Sequence, residues 1–223
     1  MYNQYFDIKD HCREGLLKHL ERAASKISIV DNPKILDVGC GSGTPTLFIL
    51  EKFGGQITAI DSDPRSINVL RERVRKLNLL KQVNLSTQSL FDFKGDDSKF
   101  DLIIAEGILN VVGFQKGFLK LVQLVAEKGF IVIHDDFKDH TRKLEIIKDN
   151  DCKILDSFVL YEQKWWNDYN KCLAEQTSNN SDEEFLQLFE SDLLEIDAFR
   201  TNPSAFCYIY YIVRRNDHCE SGS

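Results

Sequence analysis

The stretch that most constrains the fold is residues 34–50, KILDVGCGSGTPTLFIL. Ile35, Leu36 and Val38 form an apolar run carrying one acid, Asp37. The run meets a turn with glycine at every second position, Gly39, Gly41 and Gly43, with Cys40 inside it. A helical pattern starts at Thr44-Pro45, which predicts a hydroxyl at the N-cap and proline at the first helical position. An apolar strand ending in a glycine-rich loop that opens a helix suits a parallel sheet and a nucleotide-like ligand. Residues lacking Cβ let the backbone approach a flat polar molecule and offer it N–H donors. The dinucleotide fingerprint needs Gly or Ala three residues after its second glycine. Thr44 stands there, so the spacing is D-x-G-x-G-x-G instead.

The same unit of strand, short loop and helix repeats downstream. Strands are expected at 56–61, 83–88, 100–105, 130–134, 154–160 and 206–213, and helices at 44–53, 64–78, 114–126 and 139–148. This alternation predicts a parallel sheet covered on both faces. Before it, residues 7–27 carry Ile8, Cys12, Leu16, Leu20, Ala23 and Ile27, an i, i+4 stripe on a helix. Tyr2, Tyr5 and Phe6 lead into that helix, an aromatic arm able either to cover a neighbouring pocket or to pack on the surface. Between Lys171 and Arg200 stand eight acids and no base, expected to be a solvated helix face, and TSNNS at 177–181 splits that segment. With no linker or repeat, the chain reads as one domain over 1–223. It comprises an N-terminal helix that could serve as a lid (1–30), a ligand-binding core (31–150), C-terminal strands under a helical cover (151–213) and a frayed tail (214–223).

The loop at Asp37, Gly39, Gly41 and Gly43 resembles the S-adenosylmethionine (SAM) loop of class I methyltransferases. The segment AEGILNVVGFQKG (105–117) looks like one found in a prokaryotic small-molecule subgroup. The resemblance spans about residues 10–213 and implies a Rossmann-like, seven-stranded, mostly parallel sheet with helices on both faces and an antiparallel last strand. It implies SAM as methyl donor, with S-adenosylhomocysteine as its product, and Asp37, Gly39, Cys40, Gly41 and Gly43 as the loop that holds it.

Asp61, at the end of the second strand, suits a ribose, because one carboxylate can accept both vicinal hydroxyls. Ser62 follows it beside the expected adenine pocket, and Ser89 and Leu90 align where the family places its adenine contact, unless Asp92 takes that part. Asp63-Pro64 is left as the cap of the next helix. Glu106 ends the fourth strand, where it can meet the amino group of the methionine moiety, orient substrate or cap the next segment. Asn110 is a weaker candidate for that wall. His134, at the end of the fifth strand, is a candidate general base or a hydrogen-bonded structural residue. His134, Asp135 and Asp136 alternate faces, so no metal site is expected. Trp165, Trp166 and Tyr169 read equally as core or as an aromatic wall for a cationic ligand.

A net charge of −7 and a pI near 5.3 argue against a protein that grips nucleic acid phosphates. The tetrapeptide N/D-P-P-F/Y of similar amino-methylating enzymes is absent, with AEGI in its place. No apolar run approaches the ~20 residues of a membrane span. Six scattered cysteines without a C-x-x-C pair point to reduced thiols and a cytoplasmic protein. The expectation is a methyltransferase of small molecules, acting as a monomer or homodimer. The rivals are an enzyme of tRNA or protein, and a SAM-fold protein without chemistry.

Overall fold

The computed structural model describes residues 2–95, 99–178, 180 and 182–217. Seven strands form one sheet in the order β3-β2-β1-β4-β5-β7-β6. They are β1 Lys34–Val38, β2 Gln56–Asp61, β3 Val83–Thr87, β4 Phe100–Glu106, β5 Val125–Asp136, β6 Cys152–Leu160 and β7 Tyr208–Arg215. All run parallel except β7, which inserts antiparallel between β5 and β6. The central strands are apolar through their middles because both faces are covered: Leu102, Ile103, Ile104 and Ala105 are fully buried.

One face packs Ile35, Ile57, Ile104 and Val132 against α1 (Tyr2–Ala24), α2 (Thr44–Phe53) and α3 (Pro64–Lys76). The other packs Leu36, Ile103 and Ile133 against α5 (Phe114–Leu124) and α6 (His140–Lys148). A short α4 (Leu109–Val112) precedes α5. A third apolar cluster joins α1 to a helical cover at the sheet's carboxyl edge. That cover comprises α7 (Glu162–Trp165), a π-helical turn Trp166–Asn170, α8 (Lys171–Ser178), α9 (Glu183–Leu188) and α10 (Glu190–Thr201).

Several expectations shift. The first helix starts at Tyr2 and ends at Ala24, and the fifth strand begins at Val125, with Lys128 at φ 60° inside an irregular pairing with β4. Gly43, not Thr44, caps α2. Thr44 sits inside the first turn, and its hydroxyl donates to Asp10 at 2.8 Å instead. Asp63 does cap α3, accepting from the Arg65 N–H at 2.9 Å. Arg214 and Arg215 belong to β7, while 218–223 of the expected tail, and Asn179 and Ser181 of the 177–181 break, lie outside the described residues.

The expectation of reduced thiols fails at Cys12 and Cys172, which form a disulfide between α1 and α8. Their separation of 160 residues hid the pair, since only the docking of the cover on α1 brings them together. The cysteine argument for a reducing compartment falls with it. Cys40, Cys152 and Cys207 are free, and Cys219 lies outside the described residues.

Candidate active site

Strand register builds the site. Val38 pairs with Ile60 and Ala105, Glu106 pairs with His134, and His134 pairs with Tyr210. Asp61, Glu106, His134 and Tyr210 therefore stand at the sheet's carboxyl edge, on the face covered by α1. The loop after β1 is tied to β2 by the Gly39 and Cys40 N–H groups, which donate to Ile60 O at 2.8 and 3.1 Å. Asp61 closes the link, accepting from Gly41 N–H at 2.9 Å and Asp63 N–H at 2.8 Å. Each carboxylate oxygen keeps acceptor capacity for a ligand hydroxyl.

Two cavities open here. One, of about 250 Å³, is walled by Gly39, Gly41, Ser42, Asp61, Glu106 and Ile108, with Tyr5 and Phe6 of α1 across it. The other, of about 200 Å³, lies between the strand ends and the helical cover, bordered by His134, Trp165, Tyr169, Glu195, Tyr208 and Tyr210. Lys9, Arg13, Glu106 and Gly107 line both. A Cβ on Gly41 would project toward Arg13 Nη1, 3.9 Å away, into this shared space.

The residues expected to bind cofactor divide accordingly. Gly39, Gly41, Asp61 and Glu106 come together on the first cavity's wall. Asp37 lies beneath it, almost fully buried, accepting from the Thr46 hydroxyl at 2.5 Å. Burial, only partly offset by that hydroxyl, pushes its carboxyl up to about 7. Cys40 is packed in the core, where burial pushes its thiol up, and that thiol donates to Gly41 O at 3.6 Å, bracing the loop from beneath. Gly43 serves packing: a Cβ there would lie 2.1 Å from Leu70 Cδ1. Ser62, Ser89 and Leu90 are not among the residues walling either cavity. Ser89 instead makes a local turn with Asp92, and Leu90 is buried in the core.

Glu106 accepts from the Tyr210 hydroxyl at 2.5 Å. Burial raises its pKa, against the opposing pull of that hydroxyl and of Arg13. His134 is 6% exposed and stacks against Tyr210 and Trp165, with ring centroids 4.6 and 5.4 Å away. Burial first, then Arg13 and His19, depress it to about 3, so the ring is neutral at physiological pH. Its Nε2 is buried without a hydrogen-bond partner. Asp135 points the other way, to Lys143 of α6 at 2.6 Å.

Several contributors are not visible in the sequence, Tyr208 and Tyr210 of β7 among them. Lys9 and Arg13 sit on α1, where only the apolar stripe drew notice. Asp192 and Glu195 were read as solvated, yet Asp192 pairs with Lys9 at 2.9 Å, and Glu195 accepts from Trp165 Nε1 at 3.3 Å and Asn170 Nδ2 at 3.4 Å. The available signal was their spacing with the buried Ile196 and Phe199, which places all four near one helix face.

Comparison with known proteins identifies the family and the fold. Residues 29–188 match a family described as a methyltransferase domain. A ribosomal protein L11 methyltransferase of Ruminiclostridium cellulolyticum is 32% identical over 82 residues, 37% of this chain and 26% of that protein. The chain thus spans about a quarter of that relative's length. Among solved structures, the [4+2]-cyclase SpnF superposes with a TM-score of 0.73 at 15% identity, over 89% of this chain and 81% of that one. A SAM-dependent methyltransferase from Geobacter sulfurreducens, in complex with S-adenosylhomocysteine, superposes with a TM-score of 0.67 at 13% identity, over 90% of each chain. The chain belongs to the methyltransferase-domain family and has the fold of SAM-dependent methyltransferases.

Proposed function

We propose that this protein transfers a methyl group from SAM to a small molecule. The observation that carries the reading is the pair of cavities that meet at Glu106 and Gly107, one built on Gly39, Gly41 and Asp61 and the other on aromatic rings. SAM, when bound, supplies a methyl group already activated by its sulfonium. The chain's residues then have three tasks: holding, aligning and excluding water. Asp61 offers carboxylate oxygens to two vicinal hydroxyls, and Glu106 offers one to an ammonium group. The glycine loop keeps the floor free of side chains.

Alignment of two reactants can contribute up to about 7–11 kcal/mol, so no strong acid–base pair is needed. His134 fits that picture. A ring depressed to about 3 is a weak base, so its part is to accept a hydrogen bond and orient the nucleophile. The limited volume under α1 and α10 favours a small acceptor over a nucleic acid or a folded protein. Among the described residues, no helix is long and apolar enough to cross a membrane.

Calorimetric titration with SAM tests the reading. Asp61→Ala should weaken binding by about 1–3 kcal/mol, the usual cost of losing a charged hydrogen-bond partner. Unchanged affinity, or no SAM binding by the parent protein, overturns it.

A further inference from the structure

The second cavity has a chemical character of its own, and on the reading that it receives the methyl acceptor, the geometry points to a small amine as that acceptor. The first ground is charge. Glu106, Asp135, Asp136, Asp192 and Glu195 all border the cavity. Lys9 is engaged by Asp192 at 2.9 Å, Lys143 is shared between Asp135 and Asp136 at 2.6 and 2.7 Å, and Arg13 lies beside Glu106. Glu195 is held instead by two uncharged donors, Trp165 Nε1 and Asn170 Nδ2. Asp135 turns its carboxylate to the other face and Lys143 does not border the cavity, so four carboxylates stand there against the two cations Lys9 and Arg13, and the surplus is negative.

The second ground is the wall. Trp165 packs on Tyr208 at 4.2 Å and on Tyr169 at 5.4 Å between ring centroids, and all three border the cavity. Aromatic faces attract a cation, most strongly away from water. The third ground is His134, whose buried Nε2 lacks a partner and can receive an N–H from the acceptor.

These features match nitrogen rather than oxygen chemistry. A phenol or a carboxylic acid reacts as an oxyanion, which this surplus of carboxylates repels. An amine reacts as the neutral base. Its lone pair forms the new N–C bond, and the S–C electron pair returns to sulfur, leaving a thioether. The positive charge thereby moves from sulfur to nitrogen, and the surplus proton leaves that nitrogen for water. Glu195 and the rings are placed to stabilise the cation that results.

Trp165 supplies a direct readout. The chain has two tryptophans, so Trp166→Phe leaves Trp165 as the sole indole reporter. The full-length variant is titrated with benzylamine, benzyl alcohol and benzoate, with and without S-adenosylhomocysteine, and melting temperature serves as the check on folding. Benzylamine should saturate the signal and bind about tenfold more tightly than the alcohol, as expected for one carboxylate plus ring contacts. Glu195→Gln should abolish that preference, and Glu195→Asp should restore part of it. Equal or tighter binding of benzyl alcohol or benzoate overturns the proposal. So does the absence of a saturable benzylamine signal, or a preference that Glu195→Gln leaves intact. Calorimetry with SAM separates the two readings. Amine binding without SAM binding sinks the methyl-transfer reading alone, whereas SAM binding without amine preference sinks this one alone.

Discussion

Asp37 and Asp61 show how differently two acids at adjacent strand ends can serve one loop. Asp61 reaches the cavity wall, whereas Asp37 is 2% exposed and turned to Thr46. A carboxyl raised to about 7 in the folded state ionises near 3.8 once unfolded. Below about 4 both states are protonated and its contribution to stability is intact. Between about 4 and 7 the unfolded chain holds fewer protons, so stability falls as pH rises and is lost above the folded pKa. Asp37→Asn removes that ionisation while keeping an oxygen for Thr46. The variant should gain on the parent by a few kcal/mol between pH 4 and 8, since every tenfold change in proton affinity between the two states is worth about 1.4 kcal/mol. Urea midpoints at both pH values check this, and parallel pH dependences for the two proteins contradict it.

At the scale of elements, α1 is what the molecule adds to its sheet. Cys12 is joined to Cys172 of α8, Gly15 packs so closely on the π-helical turn that a Cβ would lie 2.2 Å from Asp168 O, and His19 meets Asp168 at 2.7 Å. A crosslink that closes so long a loop typically contributes about 2–4 kcal/mol. Cys172→Ser should lower stability by about that amount. Reductant should lower the parent to the same level and leave the variant unchanged, as read from guanidinium midpoints with and without reductant. A parent indifferent to reductant contradicts the bond.

The sheet was legible from sequence because strands buried on both faces are apolar runs between turn residues, and the glycine spacing plus Asp61 marked the first cavity. The antiparallel β7 came from the family resemblance rather than from any period in the chain. The second cavity was hidden for a different reason. A stripe shows which face of a helix is buried but not against what, so nothing local linked Lys9 to Asp192, Cys12 to Cys172, or Glu195 to Trp165. Tyr208 and Tyr210 were seen as strand residues, and their place at the site follows only from pairing with Asp136 and His134.

For the whole molecule, α1 is the tie between the glycine loop and the cover, and Asp10 is its anchor on the loop side. The buried carboxylate of Asp10 accepts from Ser42 Oγ at 2.5 Å, from Thr44 Oγ1 at 2.8 Å and from the guanidinium of Arg73 in α3. Arg73 also donates to Ser42 O at 3.2 Å, so loop, α1 and α3 share one polar knot. On the far side, Lys9 and Cys12 hold α8 and α10. Asp10→Ala strips three donors of their partner at once and leaves a largely covered guanidinium without its closest anion. Stability should fall by about 2–4 kcal/mol, because unpaired buried polar groups cost more than the paired ones contribute. The loss should also be local. Amide hydrogen exchange should quicken in the first turns of α1 and around residues 42–44, while β1, β4 and β5 keep their protection. SAM affinity should fall with it, since the loop proposed to hold the ligand is no longer braced. Uniformly faster exchange across the sheet, or unchanged exchange in α1, shows that the helix is held by its apolar stripe and disulfide alone, and that the polar knot is dispensable.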